Sequence, residues 1–242
     1  MTEFTEWRSL VDGAEISGIP DSEADHQWNY TAGSGTTVKD TIGSLDAEYT
    51  SISWGSSAGA GDTHGLLDGV NDYADLGSST RSDWAHFIQD GEGTLFAWVN
   101  PEDASDIHQI FNSDTSGTNS IMLGIVNDDG FRFQTVADGS GATVNQGDFA
   151  TENEWQAVAG VADGAEATLY IAEAPDYDLI EMGSESLSTT SNDLDHNVHI
   201  GREGSNDRRY WDGGLDLSFK DSEPWSQSEL QSFVDDSKDF YE

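Results

Sequence analysis

The residues with most capacity for chemistry fall into one arginine–aromatic segment, one carboxylate cluster and six histidines. In Gly204-Ser-Asn-Asp-Arg-Arg-Tyr-Trp211, two of only six arginines stand beside two aromatic rings. Sugar recognition uses an aromatic face with planar hydrogen-bonding side chains nearby. Arg208, Arg209, Tyr210 and Trp211 are therefore the candidate ligand-binding residues. The same residues also suit an intramolecular ion pair in a very acidic protein, with Trp211 packed inside. Asp176-Tyr-Asp-Leu-Ile-Glu181 is the second cluster. On a strand, this spacing puts Asp176 and Asp178 on one face, with Glu181 joining through a bulge. A retaining glycosidase needs its two carboxyls about 5–5.5 Å apart. With 47 Asp+Glu in the chain, however, such spacing arises easily by chance, and no catalytic residue is assigned.

His26, His64, His86, His108, His196 and His199 contain no pair at metal-ligand helix spacing. His196 and His199 flank an expected strand start, where turn or edge roles suffice. No Gly-x-Ser-x-Gly elbow and no Ser/His/Asp signature occurs. The absence of cysteine removes disulfides, thiolate nucleophiles and thiolate metal sites.

The elements that would position these residues must be built in a chain of 242 residues with 9 Lys+Arg and a formal net charge of −38. A folded monomer of 26.2 kDa exposes about 10,600 Å², so its carboxylates stand roughly 15 Å apart. At about 0.01 M salt the Debye length is roughly 30 Å and each carboxylate feels many others; at about 1 M it is roughly 3 Å. The composition fits a protein of concentrated salt. It gives no electrostatic footprint for nucleic acid and no attraction to an anionic membrane surface. No run of 18 apolar residues is present to span a bilayer. The opening Met1-Thr-Glu-Phe-Thr-Glu-Trp-Arg8 lacks a basic n-region and an apolar h-region, so no export leader is expected. The 8 Trp, 7 Tyr and 10 Phe, spread along the whole length, argue for a folded domain rather than disorder.

Short apolar runs punctuated by Asp-Gly predict a series of hairpins. Ile121–Val126 and Phe131–Val136 flank Asn127-Asp-Asp-Gly130, and Trp155–Val161 and Ala167–Ile171 flank Asp163-Gly164. Leu95–Val99, Val198–Ile200 and Gly214–Phe219 complete the expected strands, which together indicate a sandwich or jelly roll. Trp98 and Trp155 are expected to fill the space between two sheets. Gly69, Gly164 and Gly213 each follow an Asp, where a tight turn needs positive φ. Ser226-Gln-Ser-Glu229 is a capping box, and Leu230, Phe233 and Val234 form an apolar stripe on the helix it starts. Residues 1–24, with Trp7, Leu10, Val11, Ile16 and Ile19, read as an added edge strand or as an arm that docks on another subunit.

In this order the segments resemble the laminin G-like branch of the concanavalin A-like jelly rolls. The resemblance is carried by Gly33–Asp40, Leu67-Asp-Gly-Val-Asn-Asp-Tyr-Ala-Asp-Leu-Gly77, Phe96-Ala-Trp-Val-Asn-Pro101, Glu154–Gly160, His199-Ile-Gly-Arg202, Trp211-Asp-Gly213 and the Trp225–Leu230 helix start. It covers roughly residues 26–236. It implies an all-β, two-sheet antiparallel jelly-roll sandwich with a short C-terminal helix, spanning residues 25–242. It places Asp176–Glu181 in a hairpin loop, although glycosidase relatives carry a similar pattern on a strand. It also implies a calcium ion, with Asp40, Asp68 and Asp216 as ligands, since hard cations take carboxylate and carbonyl oxygens. Ala32 and Leu217 depart from acids common in that pattern, and solvated turn aspartates are the other reading of the same three residues.

The expected function is non-enzymatic recognition or adhesion at a surface. Such domains work outside cells, and a virus component made in the host cytoplasm and released by lysis needs no leader. The expectation is a surface component of a haloarchaeal virus, a capsid turret, decoration or tail protein, that contacts host surface glycan or glycoprotein. It would associate with other virion subunits through residues 1–24, as a homo-oligomer. The alternatives are a purely structural decoration without glycan binding, a glycoside hydrolase of the same fold, or a cytoplasmic protein of a halophile.

Overall fold

The computed structural model describes residues 24–56, 63–114, 117–126, 130–147 and 149–241, together with the backbone of two short strands nearer the N-terminus. Those two are β1 (Leu10–Val11) and β2 (Ala14–Glu15), paired antiparallel. Next come β3 (His26–Asn29), β4 (Thr37–Asp40), β5 (Ala47–Glu48), β6 (Ser53–Ser56), β7 (Thr63–Asp68) and β8 (Ala74–Asp75). Two single-turn helices, α1 (Thr80–Asp83) and α2 (His86–Gln89), precede β9 (Glu92–Pro101) and β10 (His108–Asn112). The remaining strands are β11 (Ser120–Val126), β12 (Gly130–Ala137), β13 (Ser140–Gln146), β14 (Gln156–Asp163), β15 (Glu166–Glu173), β16 (Ile180–Ser186), β17 (His199–Ile200) and β18 (Asp212–Asp221). Helix α3 (Gln227–Ser237) follows.

Ten strands form one antiparallel sheet, in the order β16-β15-β14-β9-β18-β3-β4-β5, with β7 on β18 and β6 on β7. Six form the other, in the order β13-β12-β11-β10-β17-β8. This is the two-sheet jelly-roll sandwich that the hairpin pattern predicts. Both expected Asp-Gly hairpins are present: β11 pairs with β12 from Ser120 opposite Val136 to Val126 opposite Gly130, and β14 pairs with β15. Gly69, Gly164 and Gly213 have φ of 69°, 89° and 127°.

Between the sheets lie Leu95, Ala97 and Val99 of β9, Val158 of β14, and Leu123, Ile125, Phe131 and Phe133 of the six-stranded sheet. Gly160 makes this packing possible. A Cβ there would stand 2.3 Å from the Phe133 ring, so the side chain that would fill that space is supplied from the opposite sheet.

A second apolar layer lies on the other side of the ten-stranded sheet. Strand alternation sends Phe96 and Trp98 away from the neighbours that face the inter-sheet core. They meet Leu230, Phe233 and Val234 of α3 together with Tyr177 and Tyr241. The expectation that Trp98 and Trp155 sit between the sheets is thus corrected. Trp98 stacks on Tyr241 at 4.1 Å and donates from Nε1 to Ser237 Oγ, while Trp155 packs against Tyr241 at 5.0 Å. Both arms of the Ser226/Glu229 capping box are formed. The central strands of the ten-stranded sheet are consequently covered on both faces, with α3 as a third layer.

Of the expected arm, residues 1–23 lie outside the described residues except for the backbone of β1 and β2. Ala24 is buried with the α3 layer, and Asp25 receives a hydrogen bond from Lys220 Nζ at 2.6 Å.

Candidate functional site

With α3 over the central strands of the ten-stranded sheet, the candidate ligand face is the outer face of the six-stranded sheet. Ile121, Leu123, Ile125, Phe131 and Phe133 point inward, so alternation turns Met122, Gly124, Arg132 and Gln134 outward. The register places Gln109 opposite Gly124, Gly124 opposite Arg132, and Arg132 opposite Asn145, as one row across four strands. A second row runs Asp75, His199, Asn112, Met122, Gln134 and Thr143. Both rows are mainly polar.

Gly124 stands in the first row without a side chain and is itself buried. A Cβ there would lie 2.4 Å from the His108 carbonyl oxygen, so the backbone of β10 excludes any larger residue. Gln109, on one side, is fully buried; its Oε1 accepts from Asn112 Nδ2 at 2.9 Å, while its Nε2 has no hydrogen-bond partner among the described residues. Arg132, on the other side, is half-buried, and its Nε also lacks a partner among the described residues. Burial, with the Arg209 guanidinium nearby, draws the Arg132 pKa below its ordinary value.

The segment Gly201–Trp211 continues from β17 along β10. Gly201 N–H donates to Ile110 O at 2.9 Å, and Gln109 N–H donates to Arg209 O at 3.1 Å. Its centre is Glu203, whose carboxylate has no exposure. Arg208 Nε donates to Glu203 Oε2 at 2.6 Å, and Arg209 Nη1 lies 3.3 Å from the same oxygen. The Glu203 carboxylate raises the Arg208 pKa. Arg209 adopts φ 58°, a left-handed conformation uncommon for a side chain of its size.

The four ligand-binding candidates are adjacent in the fold but differ in what they offer. Trp211 is fully buried; its Nε1 donates to Gly214 O at 3.1 Å, so its ring is structural. Arg208 is held by Glu203. Tyr210 is half-buried, 6.1 Å from the Tyr73 ring, and Arg202 lies 3.8 Å above Tyr73. Arg202 is paired with Asp207 and donates to His199 Nε2 at 2.9 Å. Burial, followed by this guanidinium, lowers the His199 pKa and favours its neutral form.

Asp40, Asp68 and Asp216 do not fit a shared calcium ion. Among the described residues, no group of three or more His, Asp or Glu side chains is gathered to hold a metal. Asp40 is buried at a turn, where it accepts from His26 Nδ1 and from the backbone N–H groups of Gln27, Ile42, Gly43 and Leu45. Burial alone would raise its pKa, but these donors prevail and lower it. Asp68 caps the next turn by accepting from Val70 and Asn71 N–H. It stands opposite Asp212, four positions along β18 from Asp216, or about 13 Å. Asp216 is fully buried and accepts from Tyr30 N–H and the Tyr241 hydroxyl. Each has a structural task of its own.

Asp176, Asp178 and Glu181 are exposed. The two aspartates lie in the connection between β15 and β16, where Gln231 of α3 bonds the backbone of Tyr177 and Leu179. Glu181 opposes Tyr170 on the edge strand β16. His196 lies 3.5 Å from Asp114, and His199 lies 3.6 Å from Asp75.

Gln109, Gly124, Arg132 and Asn145 were not singled out by sequence reasoning. The available signal was Phe131-Arg-Phe-Gln: alternation assigns Arg132 and Gln134 to one face, but a polar position on a strand reads as ordinary solvent exposure.

Comparison with known proteins agrees with this architecture. The family model Laminin_G_3, described as concanavalin A-like lectin/glucanases superfamily, matches residues 68–217. No curated protein matches the chain by sequence. Among solved structures, domain 4 of the arabinanase AbnA from Geobacillus stearothermophilus, in complex with arabinotriose, is similar over 87% of this chain and 97% of that one, with TM-score 0.59 and 13% identity. The binding domain of Paraclostridial Mosquitocidal Protein 1 is similar over 88% of this chain and 52% of that one, with TM-score 0.62 and 15% identity. A mutant sialidase from Trypanosoma rangeli is similar over 92% of this chain and 34% of that one, with TM-score 0.61 and 14% identity.

Proposed function

Because the chain belongs to the concanavalin A-like lectin/glucanases superfamily, we propose that it is a non-catalytic recognition module whose outer six-stranded face holds a glycan. The observation that carries this reading is the Gln109–Gly124–Arg132–Asn145 row. It brings planar hydrogen-bonding side chains together, with Arg132 half-buried and Asn145 exposed, on the sheet that α3 leaves open. Sugars are bound through such planar groups. The arabinanase domain in complex with arabinotriose illustrates that a sandwich of this fold can carry a sugar. A hydrolase is not favoured, because Asp176 and Asp178 stand in an exposed connection and not on facing walls of a cleft.

The setting we propose is the surface of a haloarchaeal virus, as a capsid turret, decoration or tail protein contacting host surface glycan or glycoprotein. The acidity of the chain supports a saline setting, and residues 1–24 are the proposed attachment to neighbouring subunits and further copies. The test is a glycan array probed with the full chain in about 1 M NaCl, where surface charge is screened. Retention of a defined set of glycans, lost on replacing Gln134 and Asn145 together by Ala, is the expected result. Retention of none would leave a purely structural decoration.

A further inference from the structure

We propose that the ligand of the outer sheet face carries a carboxylate, an acidic sugar, and that Arg132 is its charge anchor. This rests on the recognition reading above and specifies its chemistry.

The first ground is the distribution of cations. The chain has 9 Lys+Arg against 47 Asp+Glu, so carboxylate partners are abundant. Among the described residues, Lys39, Lys220, Lys238, Arg202, Arg208 and Arg209 are each ion-paired with an Asp or Glu. Arg81 donates from Nε to the Leu194 carbonyl oxygen at 3.0 Å. Arg132 is in none of these ion pairs, and its buried Nε has no hydrogen-bond partner among the described residues. A half-buried guanidinium beside a second one is unfavourable in isolation, as its lowered pKa records. An anion at that position removes the cost.

The second ground is shape. Gln109 and Arg132 flank Gly124, one strand away on either side. Gly124 is itself buried, and a Cβ there would stand 3.2 Å from Gln109 Oε1, so a ligand meets the row from its other side, where Arg132 is half-buried and Asn145 is exposed. Gln109 Nε2, in a side chain with no exposed surface, is a second donor of the row without a partner among the described residues. The arginine fork matches a carboxylate with two parallel hydrogen bonds, a geometry that a hydroxyl cannot reproduce.

The third ground is screening. A net charge of −38 repels an anionic ligand at long range. At about 1 M salt the Debye length is about 3 Å, and only groups in contact with the ligand matter. There the nearest charge is that of Arg132, the Arg209 guanidinium beyond it being paired with Glu203.

The experiment compares one glucuronate-containing oligosaccharide with the same compound after reduction of its carboxyl groups to alcohols. Calorimetric titration uses the full chain in about 1 M NaCl, where the field of the whole protein is screened. The wild type should prefer the acidic form by about tenfold or more. Arg132→Gln should abolish that preference, so that the acidic and the reduced forms bind equally whatever the affinity that remains. Arg132→Lys, which keeps the charge but loses the fork, should retain part of the preference. Equal binding of both forms by the wild type, or a preference that survives in Arg132→Gln, overturns the inference while leaving recognition of neutral glycans intact. Should no glycan, acidic or neutral, be bound in the array or the titration, the recognition reading itself fails and this inference with it.

Discussion

Arg208 Nε donates at 2.6 Å to Oε2 of Glu203, and the carboxylate receiving that bond has no exposed surface. The same carboxylate is approached by Arg209, so one buried acid ties together the segment that borders the row on the outer sheet face. Removing one member of a buried ion pair costs about 3–5 kcal/mol. Arg208 is itself about half exposed, which reduces the expected loss for Glu203→Ala to about 2–3 kcal/mol. Guanidinium unfolding measures it. A loss below about 0.5 kcal/mol would mean that the backbone bonds from Gly201 and Gln109 hold the segment without the acid.

Acid should weaken the fold through His86. Its Nδ1 lies 2.6 Å from the Glu92 carbonyl oxygen, and burial, with Lys220 adding to it, lowers its pKa from 6.5 to about 4. The unfolded chain binds this proton below about pH 6.5, whereas the folded chain binds it only near pH 4. The stability from keeping His86 neutral is therefore complete above pH 6.5 and declines as pH falls toward 4, by up to about 3 kcal/mol. Melting temperatures across this window should fall in the wild type and fall less in His86→Gln. Parallel curves would assign the acid sensitivity to other groups.

The helix layer should matter nearly as much as the inter-sheet core. Phe233 is 5% exposed and packs at 5.1 Å against both Phe96 and Phe219. Phe233→Ala should cost about 3–5 kcal/mol. Ser226→Ala, which removes one arm of the capping box, should cost about 1 kcal/mol. Equal small losses in both variants would show that α3 contributes little beyond its own hydrogen bonds.

Salt dependence follows from the excess of acids. Raising NaCl from about 0.01 M to about 1 M shortens the Debye length from about 30 Å to about 3 Å, below the mean spacing of the carboxylates. The melting temperature should rise over that range. A flat profile would contradict the saline setting proposed for the protein.

The hairpins were legible in the sequence because Asp-Gly fixes a turn and period-two alternation fixes which residues share a face. The capping box at Ser226 was legible because its two partners are three residues apart. Alternation also groups Phe96 with Trp98, but it cannot say which side of a sheet is covered by another sheet and which by a helix. That is decided by Leu230, Phe233 and Val234, more than a hundred residues later in the chain. For the candidate site, Arg208 to Trp211 were legible as an unusual segment, but its residue types do not separate ligand contact from an internal ion pair. The partner Glu203 could not be distinguished among 47 acids. Arg132 was hidden by a different limit: its significance comes from lying across Gly124 from Gln109, and cross-strand register is a property of the assembled sheet.

The α3 layer gives the sandwich a back and a front. Helix, ten-stranded sheet and six-stranded sheet lie in that order, so the polar rows and the helix face opposite directions. A molecule immobilised through the helix side would turn its rows toward whatever flows past, and one immobilised through the rows would bury them against the support. Orientation on a sensor chip, or on any larger body that displays many copies, therefore controls whether the ligand face is available at all.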